Sequence, residues 1–165
     1  MSLPPQEIAD RLRSKLPDAV VRVESVEPEA RLEVNARSIR EVSTFLRDDP
    51  ELRFDYLMCL SGVDYMGIKD VQPARALGVV YHLFSMEKAH RITLKVIVPR
   101  ETPNVPTISD IWPTANWHER EAFDLMGITF DGHPDHRRIL TSEDWVGHPL
   151  RKDYEFPTEY HGVPC

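Results

Sequence analysis

Cysteine is scarce in this chain, with only two in 165 residues. Cys59 lies inside the apolar run 56–60, and Cys165 is the last residue. Two thiols are too few for the thiolate sets that hold structural zinc or iron–sulfur clusters, and they make a disulfide framework unexpected. The scarcity of cysteine therefore excludes a four-thiolate metal centre built by this chain alone.

Glycine-rich phosphate loops are missing as well. The sequence has neither a G-x-G-x-x-G fingerprint nor a Walker lysine motif, so it gives no support to autonomous nucleotide binding of either kind. A G-x-S-x-G nucleophile elbow is also absent. These absences weigh more than any weak motif match elsewhere in the chain.

An excess of positive charge and a long apolar run are also lacking. The net charge is −7 and the isoelectric point is near 5.5, which disfavours an extended electrostatic footprint on nucleic acid or on an anionic membrane. No window approaches the ~20 apolar residues of a membrane span, and residues 1–7 do not resemble a signal peptide. We expect an acidic, cytosolic protein that reaches a membrane only through partners.

The periodicity that is present predicts one α+β domain. Hairpins force antiparallel pairing, so the expected fold is a mixed, mainly antiparallel sheet with helices packed on one face. The predicted elements, in chain order, are a helix at 6–16, strands at Val20–Val26 and Leu32–Val34 forming a hairpin, a helix capped by Ser38 and ended by Asp49-Pro50, a central strand at Phe54–Tyr65 covered on both faces, a loop at 66–76, a hairpin of Gly78–Met86 with Arg91–Val98, and a proline-rich link at 100–106 that ends the sheet.

A third helix is predicted for Trp117–Met126. Asn116 is a good N-cap, Glu119 is placed to complete a capping box, and Gly127 sits where helices end. A helical wheel divides the rest into two sides. The apolar side holds Ala122, Phe123, Leu125 and Met126, and the polar side holds Arg120, Glu121 and Asp124.

Glu119 is the anomaly of this helix because the wheel puts it on the apolar side. A buried carboxylate needs a cation, and Arg137 and Arg138 are the nearest downstream suppliers. One interpretation is a salt bridge that folds the tail back onto the helix. The other is that Glu119 only caps the first turn at the rim of the apolar face, and both stay open at this point.

After Gly127 the chain loses periodicity but stays rich in aromatic and charged residues. From Trp117 to Cys165 it has five basic and ten acidic residues, a balance of −5, and interleaved signs suit docking to another protein. The aromatic anchors typical of interfaces are Trp112, Trp117, Trp145, Tyr154, Phe156 and Tyr160, although the first two are equally expected to pack on the chain's own sheet. We expect a globular domain at 1–127 and an extended, irregular segment at 128–165 that docks on a partner.

Five of the seven histidines lie in the last third of the chain. His133 and His136, with Asp135 between them, suggest a stand-alone metal enzyme as an alternative function. Zinc, however, takes three or four ligands held by a rigid element, and this proline-broken segment is predicted to be extended. The favoured interpretation is that these histidines donate hydrogen bonds to carbonyls and carboxylates in a docked tail.

Three stretches of this region form a recognisable pattern: Trp117–Ile128, His133–Leu140 and Asp144–Tyr154. They resemble the C-type subunit of the proton-pumping NADH:quinone oxidoreductase, respiratory complex I, and the J-type subunit of its chloroplast and cyanobacterial counterpart. The signature or partner-docking residues that the resemblance implies are Trp117, Glu119, Arg120, Glu121, Asp124, His133, Pro134, Arg137, Arg138, Trp145, His148, Arg151, Lys152, Asp153 and Tyr154.

The resemblance implies a peripheral-arm subunit with an assembly role and no catalytic, cofactor or metal site of its own. FMN, the iron–sulfur clusters and quinone would belong to partner subunits. The chain would pack beside the D-type subunit that helps form the quinone pocket and near the iron–sulfur subunits, on the cytoplasmic side of the bacterial inner membrane. Related membrane-bound hydrogenases carry similar subunits, so a hydrogenase-type complex is the alternative assembly.

Overall fold

The computed structural model describes residues 3–25 and 27–164. Val26, at the end of the first predicted strand, and Cys165 lie outside the described residues. The helices are α1 (Pro5–Lys15), α2 (Ile39–Asp48) and α3 (Ala115–Met126). The strands are β1 (Val20–Ser25), β2 (Ala30–Val34), β3 (Tyr56–Asp64), β4 (Leu77–Phe84), β5 (Arg91–Val98), β6 (Asn104–Pro106), β7 (Thr129–Asp131), β8 (Glu159–Tyr160) and β9 (Val163–Pro164).

Five of these strands form one sheet in the order β1-β2-β5-β4-β3. The pairs β1–β2, β3–β4 and β4–β5 are antiparallel, and β2–β5 is parallel. This confirms the mixed, mainly antiparallel sheet of an α+β fold, and both predicted hairpins. On β5 the predicted alternation also holds, since Ile92, Leu94, Val96 and Val98 are all buried.

The helices cover one face of this sheet. Ile8 and Leu12 of α1, and Val42 and Leu46 of α2, are fully buried in the same core as Tyr81 of β4. Burying a side chain of this size contributes about 1.5–3 kcal/mol each, so the sheet and the helices hold one another in place. None of the helices in the described ranges has the length and apolar character needed to span a bilayer.

The prediction of β3 as a central strand covered on both faces is wrong. β5 lies between β2 and β4, which leaves β3 at the edge of the sheet. Its apolar run is continuous because Leu57 and Leu60 face the core while Tyr56 and Met58 are 48% and 41% exposed. A run of apolar letters does not distinguish a strand buried on both faces from an edge strand with apolar residues turned outward.

The N-cap position of α2 is Ser38, as predicted, but its side chain does not provide the expected cap. A short 3₁₀ turn at Ala36–Ser38 precedes the helix, and the side chain of Asn35, not Ser38, accepts a hydrogen bond from the Arg37 N–H (3.1 Å). Ser38 already has helical dihedrals and makes no side-chain cap. The predicted end holds, because Asp49 is the C-cap.

The two strands of a second sheet, β6 and β7, precede and follow α3 in the chain. β6 and β7 pair in parallel, with Asn104 opposite Thr129 and Pro106 opposite Asp131. The proline-rich link at 100–106 therefore contains a short strand, which was not predicted. Ile128 and Phe130 enter the core at 0% and 2% exposure. Beyond β7, residues 132–158 contain no helix or strand.

Candidate functional site

Helix α3 carries five of the fifteen predicted signature residues, and its end agrees with the prediction better than its start. It begins at Ala115 with Thr114 as the N-cap and no side-chain cap, so the assignment of Asn116 as the cap is wrong. Asn116 lies inside the first turn, where its carbonyl accepts a hydrogen bond from His133 Nε2 (3.1 Å). Gly127 ends the helix in the left-handed region (φ 69°), as predicted.

Glu119 is fully buried, but neither interpretation of it is right. Its Oε1 accepts the Ile108 N–H (2.8 Å) and its Oε2 accepts the Thr107 hydroxyl, in the loop before the helix. His133 Nε2 lies 3.8 Å from Oε2, and neither predicted arginine reaches it. Burial raises the pKa of Glu119 to about 7, against the lowering effect of the two hydrogen bonds.

Asp124 takes the salt bridge that was predicted for Glu119. It is fully buried, and its Oδ1 lies 2.7 Å from Arg138 Nη1. Its Oδ2 accepts three consecutive main-chain N–H groups, those of Ile139 (3.0 Å), Leu140 (2.7 Å) and Thr141 (2.8 Å). Burial alone would raise its pKa, but the bonds from Thr141, Arg138 and Ile139 outweigh burial and lower the pKa of Asp124.

The Arg138 side chain extends this anchor across the tail. Its Nη1 also donates to the Asp124 carbonyl (3.2 Å), and its Nη2 donates to the carbonyls of Trp145 (2.9 Å) and Gly147 (3.0 Å). One guanidinium thus holds the last turns of α3, the turn at 138–141 and the segment 145–147 together. The planar fork of arginine, with its several donors, suits this role better than lysine.

Arg120 is buried too, although the wheel placed it on the polar side. Its Nε and Nη2 donate to the carbonyls of Arg137 (3.2 Å) and Arg138 (3.0 Å), and Nη1 is 3.4 Å from Asp135. Its guanidinium lies over the ring of Trp117, 5.3 Å from the centroid. The wheel failed for Arg120 and Asp124 because the tail covers that side of the helix, and a wheel contains no information about the tail.

The tail also satisfies the carbonyls at the end of α3. His148 Nδ1 donates to the Asp124 carbonyl (2.9 Å), the Leu150 N–H to Leu125 (3.0 Å) and Arg151 Nε to Met126 (2.7 Å). These carbonyls have no partner within the helix, and a cation at this end is favourable for the helix dipole. The tail therefore completes α3 as well as covering it.

A second anchor joins the tail to the end of the sheet. Asp64, at the end of β3, accepts hydrogen bonds from the Lys152 N–H (2.8 Å) and from Arg100. Asp153 bridges Arg100 (2.9 Å) and Arg75 (3.0 Å). Asp64 and Arg100 are not among the residues predicted from the sequence, although a single carboxylate at the end of an apolar strand is a signal that a partner is needed.

Tyr154 closes this segment. Its ring packs over Gly147, which has a φ of +83°, and its hydroxyl donates to the Val146 carbonyl (3.1 Å). The Trp145 ring contacts Tyr160 with centroids 5.1 Å apart. These paired arginines and carboxylates hold the tail in place on α3 and on the end of β3, and they leave the outer side of the tail as a surface.

A known protein family matches most of this chain. The family model described as "Respiratory-chain NADH dehydrogenase, 30 Kd subunit" matches residues 32–160, which includes α3 and both anchors of the tail. The chain belongs to this family. The resemblance to the C-type subunit of complex I that the signature helix suggested is confirmed.

Individual relatives of the 30 kDa family agree, and both of those compared carry the name of the C-type subunit of NADH-quinone oxidoreductase. The relative from Roseiflexus sp. (strain RS-1) is 46% identical over 96% of this chain and 88% of its own length. The relative from Chlorobium phaeobacteroides (strain DSM 266) is 44% identical over 93% of this chain and 90% of its own.

Two solved structures share the fold. The trypsin-resistant fragment (1-134) of Nqo5 is 29% identical, with a TM-score of 0.67 over 81% of this chain and 99% of the fragment. A chain of the archaeal membrane-bound sulfane sulfur reductase has the same TM-score over 91% of this chain and 85% of its own. At 24% identity that second likeness shows the fold alone.

The histidines proposed as an alternative metal site have other roles in this 30 kDa family member. His133 Nδ1 accepts the Asp135 N–H (3.0 Å) while its Nε2 donates to Asn116, and His136 Nε2 accepts the Phe130 N–H (3.1 Å). Burial lowers the pKa of His136, which favours this neutral, accepting form. Among the described residues, no group of three or more metal-ligating side chains converges.

The remaining signature residues stay at the surface. Glu121 and Pro134 are exposed, and exposed Arg137 pairs with Asp135 (2.8 Å). Trp112 packs on the chain's own sheet and donates to the Phe54 carbonyl (2.9 Å), whereas Trp117 is 61% exposed. We call five exposed large apolar side chains of α3 and of residues 132–158 the apolar tail surface; they are Trp117, Leu140, Val146, Leu150 and Phe156.

Proposed function

We propose that the chain is a cofactor-free structural subunit in the peripheral arm of a proton-translocating NADH:quinone oxidoreductase. In such a complex electrons pass from NADH through FMN and iron–sulfur centres to quinone, and all of these groups would reside in partner subunits. The observation that carries the proposal is the two-sided character of the tail. Arg138 and Arg151 bond inward to α3 and the Lys152 N–H bonds to Asp64, while large apolar side chains such as Val146 and Phe156 face solvent.

The chemistry of the apolar tail surface supports docking on a protein. Val146 and Phe156 are 84% and 68% exposed, and several large apolar side chains exposed in one region are typical of a site that another protein covers. Arg137 and Glu121 are exposed in the same region and would add charge-specific contacts to such an interface. The inward anchors lower the entropy cost of docking because the segment is already ordered.

For the partners we propose the neighbouring subunits of the arm, especially the D-type subunit and the iron–sulfur subunits, on the cytoplasmic side of the bacterial inner membrane. Support comes from the relatives, which carry the name of the C-type subunit of the same oxidoreductase. The solved fragment of Nqo5 is trypsin-resistant and comprises its residues 1-134. By likeness to that fragment we propose the division of this chain into a globular unit, 1–127, and a docking segment, 128–165.

The first experiment is purification of the tagged chain from its native host in mild detergent. We expect a large assembly with flavin and iron–sulfur absorbance and NADH:quinone activity. A variant truncated after Gly132 should not co-purify with that assembly; this cut spares β7 and the buried Phe130, which a cut after Gly127 would remove. A small colourless monomer with stoichiometric metal from the full-length chain would contradict the proposal and favour the metal enzyme.

A point variant tests the docking residues without disturbing the core. Arg137 is exposed, so Arg137→Ala should leave the isolated chain folded yet lower the amount of assembled complex several-fold. Arg13→Ala, on the exposed side of α1, is the matched control and should assemble normally. Glu119→Ala should also lower assembly, through loss of the buried contacts of α3. Normal assembly of Arg137→Ala with altered turnover would contradict a structural role.

A further inference from the structure

The outer edge of β3 has main-chain groups that point away from its sheet. The Tyr65 N–H donates to the Ala76 carbonyl (3.0 Å), and bonded and non-bonded pairs alternate along an antiparallel ladder. Ser61 and Val63 therefore bond to β4, whereas Leu60 and Gly62 direct their N–H and C=O groups outward. Within the described ranges, no other segment pairs with this edge.

This edge also lacks the features by which proteins protect edge strands. Natural edges carry charged residues, prolines or repeated bulges that prevent further pairing. The opposite edge, β1, has Arg22 and Glu24 and two register shifts against β2. Residues 58–63 of β3, Met-Cys-Leu-Ser-Gly-Val, contain neither charge nor proline, and the single register shift falls before Cys59. One edge is blocked and the other is left available.

Helix α3 turns this edge into a groove. A Cβ on Gly62 would lie 2.9 Å from Met126 Cγ, so only glycine lets the helix approach this closely. The helix runs alongside the strand, and the space between them has a volume of about 190 Å³. Leu125 and Ala122 form an apolar wall, and His118, Glu121 and Leu150 of the tail also line the groove.

We propose that the groove between β3 and α3 binds an extended segment of another subunit, which adds to β3 as a further strand and places a basic side chain at Glu121. The inference rests on the proposed function, since it requires an assembly. The outward N–H and C=O groups of Leu60 and Gly62 can pair with an extended main chain. Every second side chain of that segment would face the groove, where the apolar wall can accept one.

The negative charge of Glu121 indicates that the segment bound in the groove carries a basic side chain. Glu121 is exposed, and no described residue forms an ion pair with it. A Lys or Arg of the incoming strand would satisfy this carboxylate. A second copy of the chain fits poorly, because pairing two β3 edges would bring two Glu121 carboxylates and two chains of net charge −7 together.

Amide hydrogen exchange tests the added strand directly. Exchange at the Leu60 and Gly62 amides is measured in the isolated full chain and in the purified complex. We expect at least tenfold slower exchange in the complex at both amides, and no such change at Arg22 on the opposite edge. If exchange at Leu60 and Gly62 is as fast in a complex that contains the chain as in the isolated chain, the inference is overturned and the proposed function stays intact. Concentration-dependent protection in the isolated chain would overturn it in favour of self-pairing.

The basic partner residue has its own test. Glu121→Lys should reduce the chain's incorporation several-fold and restore fast exchange at Gly62 in whatever complex forms. Glu51→Lys, which makes the same charge change at another exposed position, should incorporate normally. Wild-type incorporation of Glu121→Lys with Gly62 still protected would remove the charge element of the proposal. Failure of the wild-type chain to co-purify with any assembly would refute the proposed function instead.

Discussion

Arg138 Nη1 lies 2.7 Å from the carboxylate of Asp124, a group with no exposure to solvent. Asp124 also accepts the N–H groups of Ile139, Leu140 and Thr141, so every lone pair of this buried charge has a donor. A buried ion with this many partners is stable only while all of them are present. The helix and the tail are therefore one structural unit.

Asp124→Asn is the variant that tests this unit. The amide keeps the size of the side chain but removes the charge and turns one acceptor oxygen into a donor that faces the main-chain N–H groups or Arg138. We expect a loss of about 3–5 kcal/mol in the free energy of unfolding, measured by urea denaturation. Asp135→Asn, at a more exposed ion pair with Arg137, is the control and should change stability little. A loss no greater than in the control would show that the anchor is unimportant.

Glu119, whose pKa is raised, predicts a pH dependence of stability opposite to that of Asp124, whose pKa is lowered. Its folded pKa of about 7 lies above its ordinary value of 4.5, so the folded chain keeps a proton that the unfolded chain releases. Stability therefore falls as pH rises from about 4.5 to about 7 and is level above that. At about 1.4 kcal/mol per pKa unit the fall is roughly 3 kcal/mol.

The measurement is the difference in unfolding free energy between the wild type and Glu119→Gln across pH 4.5 to 8. Taking the difference removes the contributions of Asp124 and other carboxylates. Glutamine can still accept from Ile108 and donate to Thr107, so it mimics the protonated acid. The wild type should lose stability relative to the variant as pH rises, and a flat difference would show that Glu119 is ionised throughout.

Gly147 gives a third prediction, for the packing of Tyr154. A Cβ at Gly147 would lie 2.7 Å from Tyr154 Cε2, whereas one at Gly67 would meet nothing within 4 Å, and both residues have a φ of +83°. Gly67→Ala therefore measures backbone strain alone, about 1–2 kcal/mol, and Gly147→Ala should cost more. In a Tyr154→Ala background the two substitutions should cost the same, as urea denaturation would reveal. Equal costs already in the wild-type background would mean that the ring moves freely.

Local rules predicted local features well. Gly127 ends α3 because a left-handed residue is needed there, and the alternation along β5 identified its core face. The errors came from contacts between distant segments. Nothing near Asp124 in sequence reveals that residues 138–141 will cover it, and the loop at 107–108 that receives Glu119 precedes the helix. The edge position of β3 likewise depends on the order of the strands in the sheet, which the apolar residues of β3 do not reveal.

The parallel pair of β6 and β7 separates the residues that position α3 from the residues that form its outer surface. The pair clasps the main chain on either side of α3, so the position of the helix is set by residues 104–131. The tail beyond Gly132 adds the cover and the outward surface. Substitutions at Val146 or Phe156 would therefore change the outward surface and leave the frame that holds the helix intact.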